Sequence, residues 1–317
     1  MPDQPSVEAE SCAASGASGR TFESFPNHEV KLGNLPVARA LPLRGRRLVG
    51  PWCFFDRFGP LSFSSGKPMD VAPHPHIGIQ TVTWLLNGEI LHDDSLGCEA
   101  IAHPGGVNVM TAGRGIAHAE QTPRENTGIL NGVQLWTALP NPHRDVSPHF
   151  QAVSEVPAIE QPGGVIQVFA GSLGGITSPA RHYSEILGAD LQIHAGESTA
   201  IGLDPNYEHA VLVLEGDCYL DGQPLLAGNL HYLGIHRTAA TFRSRARGRV
   251  LLIGGPPFPE PILMWWNFVA RTPEEMVQAR ADWEAPDHSR FGDVSAYRGP
   301  RLDAPPLARF ARPNPLS

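Results

Sequence analysis

Between Asp70 and Glu120, side chains able to ligate a metal recur at every second position, first as His74-x-His76 and then as His118-x-Glu120. Successive side chains of an extended chain point to opposite faces, so residues two apart share a face. For the two pairs to meet, the chain must leave on one strand and return on a neighbour, which calls for an antiparallel meander. Three imidazoles and one carboxylate then converge, a donor set suited to a divalent transition metal. The intervening sequence provides such a path. Thr81-Val82-Thr83-Trp84-Leu85-Leu86 is apolar and β-branched, Asn87-Gly88-Glu89 is a turn signal, and Pro104-Gly105-Gly106 precedes a further strand, Val107-Asn108-Val109-Met110. With 14 histidines in the chain, either pair alone carries little weight; the meander between them gives them theirs.

The wider composition agrees with short strands. With 33 Gly and 31 Pro in 317 residues, turns are frequent and long helices scarce, which favours an all-β plan with room for two cores. The net charge of −8 offers no global attraction to nucleic acid or to an anionic membrane. No apolar run approaches the roughly 20 residues that span a bilayer, and the acidic, Ser/Ala/Gly-rich start lacks a signal-peptide profile. Cys12, Cys53, Cys98 and Cys218 are scattered without a Cys-x-x-Cys, which excludes a zinc ribbon and makes a reducing cytoplasm the simplest setting.

The chain divides into a polar leader over residues 1–28, expected to be disordered, a first β unit over 29–146, a Pro-spaced linker over 147–164, and a second β unit over 165–258. Residues 259–317 follow as a strand, a helix and an extended tail. Ala210-Val211-Leu212-Val213-Leu214-Glu215-Gly216 echoes Val82 to Glu89, a sign of internal duplication. Thr272-Pro273-Glu274-Glu275 is a capping box with Pro at the first helical position, and Met276, Ala279 and Trp283 continue at helical spacing. The Arg- and Pro-rich tail beyond Asp287 is expected to run over the surface.

The strings His74-Pro75-His76-Ile77-Gly78, Thr111-Ala112-Gly113-Arg114-Gly115-Ile116-Ala117-His118-Ala119-Glu120, and Trp265-Trp266-Asn267-Phe268-Val269-Ala270 strongly resemble the pirin family of cupins. Gly50-Pro51-Trp52-Cys53-Phe54-Phe55-Asp56-Arg57-Phe58-Gly59 resembles the family's opening strand. The resemblance spans about residues 29 to 292 and implies a bicupin, two antiparallel β-barrel (jelly-roll) domains with a short C-terminal helix. It also implies iron in the N-terminal barrel, held by residues matching His74, His76, His118 and Glu120. Many cupins carry a Glu four residues after the second His; that position is Gln80 here, so the carboxylate falls to Glu120.

On donor chemistry alone the set suits iron(II), manganese(II), nickel(II) or zinc(II), and family resemblance selects iron. In the second unit Tyr207-Glu208-His209 stands where the first unit has its His pair, so one imidazole remains; His231 could join it from the far side of the next strand, but two ligands without a carboxylate make a poor site, and no metal is expected. His92, His103 and His194 read as hairpin or surface residues, with a pocket role left open for His92. By parity from His74 and His76, Gln80 and Trp84 share the ligand face, where Gln80 could orient a ligand or water and Trp84 wall the cavity.

Two function classes follow from the resemblance. One is a dioxygenase of the quercetin 2,3-dioxygenase type, in which a small phenolic substrate and O2 meet at iron, the central heterocycle is cleaved and carbon monoxide leaves. Glu120 would then serve as both ligand and general base. The other is a non-enzymatic iron protein that senses redox state and binds a regulatory protein partner. A zinc isomerase on the same scaffold is a third. None involves direct contact with nucleic acid.

Overall fold

In the strand Ile79–Asn87 every residue but the last is buried, on both faces of the chain. A strand covered on both sides loses the alternation of a half-exposed one, and its position explains why this one is covered. It lies near the middle of a seven-stranded sheet, in the order His149–Val153, Val107–Thr111, Ile79–Asn87, Ile129–Ala138, Trp52–Ser62, Leu35–Leu41, His28–Leu32. One face of that sheet looks into the first unit and the other lies against the second. The computed structural model describes residues 10–12, 22–32, 35–64 and 68–307.

Each unit is a pair of facing antiparallel sheets, the layers of the expected jelly-roll. Opposite the seven-stranded sheet stand Asp70–His76, Ile116–Gln121, Ile90–Asp94 and Glu99–Ala102. In the second unit the large sheet runs Ala158–Gln161, Gly164–Leu173, Leu187–Ile193, Gly248–Gly255, Glu208–Glu215, Asn229–Gly234, Glu23–Pro26. Its small sheet is Ser198–Gly202, Ala239–Ser244, Cys218–Leu220, Gln223–Pro224. The two large sheets meet back to back: Trp52, Phe55, Val82, Trp84 and Leu135 form one apolar cluster with Phe169, Leu212, Leu230, Leu251 and Ile253.

That contact corrects the parity expectation for Gln80 and Trp84. The Asp70–His76 strand ends in a turn at Gly78, which has φ +69° and sits so close to the backbone that a Cβ would lie 2.2 Å from the carbonyl oxygen of Val269. The turn resets the phase and hands the chain to the other sheet. Trp84 therefore faces the second unit, stacking on Phe169 and donating its indole N–H to Asp190 Oδ2 at 2.7 Å. Gln80 donates to Thr111 Oγ1 and to the carbonyl of Arg181.

The chain ends cross between units. The expected disordered leader over 1–28 contains strands: Glu10–Cys12 pairs with Ile262–Trp265, and Glu23–Pro26 adds an edge strand to the second unit's large sheet beside Asn229–Gly234. Backbone hydrogen bonds to ready sheet edges hold these two strands; the rest of the leader up to residue 21 lies outside the described residues. Conversely, the C-terminal segment returns to the first unit. Ala117 and Ala119 alternate with His118 and Glu120 on the strand Ile116–Gln121, and their small side chains let Trp265, Phe268, Met276, Ala279, Trp283 and Phe291 pack on the outer face.

The helix Pro273–Glu284 forms where the capping box places it. Thr272 caps it by accepting from the Glu275 N–H, and Met276, Ala279 and Trp283 are its buried face. The tail departs from a purely surface path, since Phe291, Val294 and Ala304 are buried and the Leu302 N–H donates to the Pro73 carbonyl. Residues 308–317 lie outside the described ones. Among the described residues no helix is long and apolar enough to cross a membrane.

Candidate metal centre

Register places the first histidine pair against the second motif. His74 lies directly opposite His118, and His76 opposite Ile116, in the ladder between Asp70–His76 and Ile116–Gln121. The three imidazoles are 7%, 1% and 1% exposed for His74, His76 and His118, with one nitrogen of each within 4.8 Å of the others. Burial drives all three toward the neutral form. The His74 imidazole is held to about 4, chiefly by desolvation, and His76 and His118 lie well below the ordinary histidine value for the same leading reason, reinforced by neighbouring imidazoles.

Hydrogen bonds settle which nitrogen is bare. His74 Nδ1 lies 2.9 Å from the Ala72 carbonyl and His76 Nδ1 lies 3.1 Å from the Asn267 carbonyl. A carbonyl only accepts, so both Nδ1 atoms carry the proton and both Nε2 atoms present lone pairs. His76 Nε2 and His118 Nε2 stand 3.1 Å apart. Two nitrogens ligating one ion at about 2.1 Å on adjacent octahedral positions would be separated by about 3 Å. Neutral, converging imidazoles at that spacing fit a divalent transition-metal ion.

Glu120 is buried nearby, in a second converging group with His92 and His118. Glu120 lies directly opposite His92 in the regular ladder with Ile90–Asp94, while on its other side the register shifts between His118 and Glu120 so that Glu120 faces Val71. The two groups thus share His118. Gln134 donates to Glu120 Oε1 at 3.0 Å and is itself held by Thr83 Oγ1 at 2.9 Å. Burial raises the Glu120 carboxyl above its ordinary value, opposed by His92 and by the Gln134 hydrogen bond.

His92, which reads from the sequence as a hairpin or surface residue with a pocket role left open, is brought into the second converging group. It is 5% exposed, stacks on Phe150 at 4.2 Å, and brings Nδ1 to 3.3 Å from His118 Nδ1. Its signal was present as His92-x-Asp94, the same alternate spacing that marked the other pairs. The walling tryptophan is Trp136 rather than Trp84: it meets His76 edge to face at 5.0 Å and stacks on Phe54 at 3.9 Å. Beyond Phe54, Arg39 lies 4.5 Å over the ring and forms a two-point ion pair with Asp56 at 2.8 and 2.7 Å.

In the second unit, His209 is buried inside the sandwich opposite Gly234, while His231 directs Nε2 to the Leu226 carbonyl at 3.1 Å. The converging groups found among the described residues are both in the first unit.

Comparison with known proteins agrees with this architecture. The family profile described as Pirin matches residues 34–137, and that described as Pirin C-terminal cupin domain matches residues 188–291. A Pseudomonas aeruginosa protein named "Putative quercetin 2,3-dioxygenase" is 44% identical over 276 residues, covering 87% of each chain. A pirin-like protein of Caulobacter vibrioides is 37% identical over 268 residues, covering 82% of this chain and 92% of its own. The crystal structure of a quercetin 2,3-dioxygenase from Acinetobacter baumannii superposes with a TM-score of 0.88 at 40% identity, covering 92% of this chain and 97% of that one. Both halves match, the order of the halves is the same, and the chain belongs to the pirin family of bicupin proteins.

Proposed function

We propose that His74, His76 and His118, completed by Glu120, hold a divalent metal, and that the protein is an iron(II)-dependent dioxygenase acting on flavonol-type phenols. The observation that carries this reading is the 3.1 Å approach of two buried Nε2 atoms, one of them fixed as a lone pair, beside a buried carboxylate. Relatives named for quercetin 2,3-dioxygenase activity support the substrate class. Manganese, nickel and zinc satisfy the same donors.

When bound, a redox-active ion supplies electron exchange between the phenolic substrate and O2. The chain's own groups do the rest. Glu120, with its proton affinity raised by burial, takes the proton of the flavonol 3-hydroxyl, and Gln134 anchors Oε1 so that Oε2 is left for that transfer. Phe54, Trp136 and Phe150 offer flat apolar walls that orient an aromatic ring and keep water from it.

The test is metal analysis of protein purified without oxygen, followed by aerobic incubation of the iron-loaded form with quercetin. Loss of the flavonol absorbance with release of carbon monoxide is expected. Intact iron without turnover of quercetin or of other phenols would reject the enzyme reading and favour the iron-dependent regulatory protein.

A further inference from the structure

His118 differs from the other two imidazoles in how its second nitrogen is held. His74 and His76 donate Nδ1–H to backbone carbonyls, whereas His118 Nδ1 meets another imidazole, His92 Nδ1, at 3.3 Å. Between two imidazole nitrogens either can be the donor, so the pair by itself leaves the His118 tautomer open. Asp94 selects one arrangement when His92 is neutral. Its Oδ2 lies 3.2 Å from His92 Nε2, and a carboxylate only accepts, so His92 Nε2 carries the proton. In the neutral ring His92 Nδ1 is then bare, His118 Nδ1 must donate to it, and His118 Nε2 is left as a lone pair toward His76 Nε2.

Asp94 is itself fixed. Its Oδ1 accepts from the Leu96 and Cys98 N–H groups at 2.9 and 3.1 Å, so the carboxylate is tied into the turn that follows Ile90–Asp94. Stacking on Phe150 fixes the plane of the His92 ring, and both His92 and Asp94 are buried. We propose that His92 and Asp94 are positioning residues: Asp94 orients His92, and His92 holds His118 in the Nδ1–H tautomer that points Nε2 at the metal. On this reading, which rests on the metal site proposed above, His92 serves the ion through His118 and is not a ligand, although its ring belongs to the second converging group. Partners of this kind typically change metal affinity 10- to 100-fold.

Asp94→Asn is the sharp probe. An amide can keep the two turn hydrogen bonds through its oxygen while presenting N–H to His92 Nε2. That reverses the His92 tautomer and sets two N–H groups face to face at His118. His92→Phe removes the acceptor and keeps a ring over Phe150. Both variants and the wild type are loaded with cobalt(II), with affinity read by chelator competition and ligand state by the paramagnetically shifted, exchangeable imidazole N–H resonances. The wild type should show three such resonances. Each variant should bind about 10- to 100-fold more weakly and lose one of the three to rapid solvent exchange. Variants that keep both the affinity and all three resonances overturn the proposal, as does a fourth shifted imidazole resonance in the wild type, which would make His92 a ligand. Failure of the wild type to bind cobalt would instead overturn the metal site itself. Circular dichroism of each variant separates loss of tautomer control from loss of fold.

Discussion

At the scale of single residues, the candidate site is a set of buried polar groups each held by one identifiable partner. Glu120 leans on Gln134, and Gln134 on Thr83. Changing Glu120 to Gln would remove the proposed base while keeping size and burial, so turnover should fall by about 100-fold or more, while metal content falls much less; equal loss of both would leave Glu120 as a ligand only. Gln134→Leu takes away a hydrogen bond that lowers the Glu120 carboxyl, so that carboxyl should rise further. A base works in its ionised form, above its own pKa, so the acidic limb of the activity profile should move to higher pH; an unmoved limb would show that Glu120 is not the titrating base. The convergence of His74, His76 and His118 was legible because residues two apart share a face, whereas Glu120 converges with His92 and His118 rather than with the first pair. Trp136 and Gln134 were not legible, because they reach the histidine and carboxylate cluster from a strand with no histidine or carboxylate to draw attention to it. His92 carried a readable pair with Asp94, but nothing in its spacing says which strand it will face.

At the scale of elements, the sequence was most readable where local rules decide the outcome. The helix Pro273–Glu284 follows from Thr272, Pro273 and the spacing of Met276, Ala279 and Trp283. Parity does not carry past His76 because a left-handed turn depends on how closely Val269 approaches, a contact made across the fold. Gly78→Ala should therefore be severe: a Cβ cannot occupy 2.2 Å from a carbonyl oxygen, and the positive φ alone disfavours alanine by about 1–2 kcal/mol. Urea denaturation should show that loss or more, and metal affinity should fall with it, because the turn sets the position of His76. On Ile116–Gln121, Ala117→Leu adds bulk against the packed C-terminal aromatics; over-packing of this sort costs about 1–3 kcal/mol, visible as a lower urea midpoint with the same slope.

At the scale of the whole molecule, two sandwiches share one apolar seam, and polar groups pin it. Trp84 reaches across to Asp190, which is also paired with Arg249 at 2.7 Å. Duplication was visible in the sequence, but this back-to-back arrangement was not, since a strand buried on both sides looks alike whatever covers its second face. Stability should also depend on acid. Burial holds the His209 imidazole at about 4 in the folded protein, against an unfolded value near 6.5. Between those values the unfolded chain binds a proton that the native state does not, so this contribution is present above about pH 6.5 and is lost as pH falls toward 4. Urea midpoints at pH 7 and pH 5 should fall in that order, with a smaller drop for His209→Gln. The crossing of the chain ends has a consequence for biogenesis. His76, early in the chain, takes its orienting carbonyl from Asn267, so the histidine cluster is held in place only when the late segment folds back. A ribosome-bound intermediate that has exposed just the leading sandwich would display these imidazoles without that anchor. Any ion capture at these imidazoles would thus await the late segment rather than accompany folding of the leading sandwich.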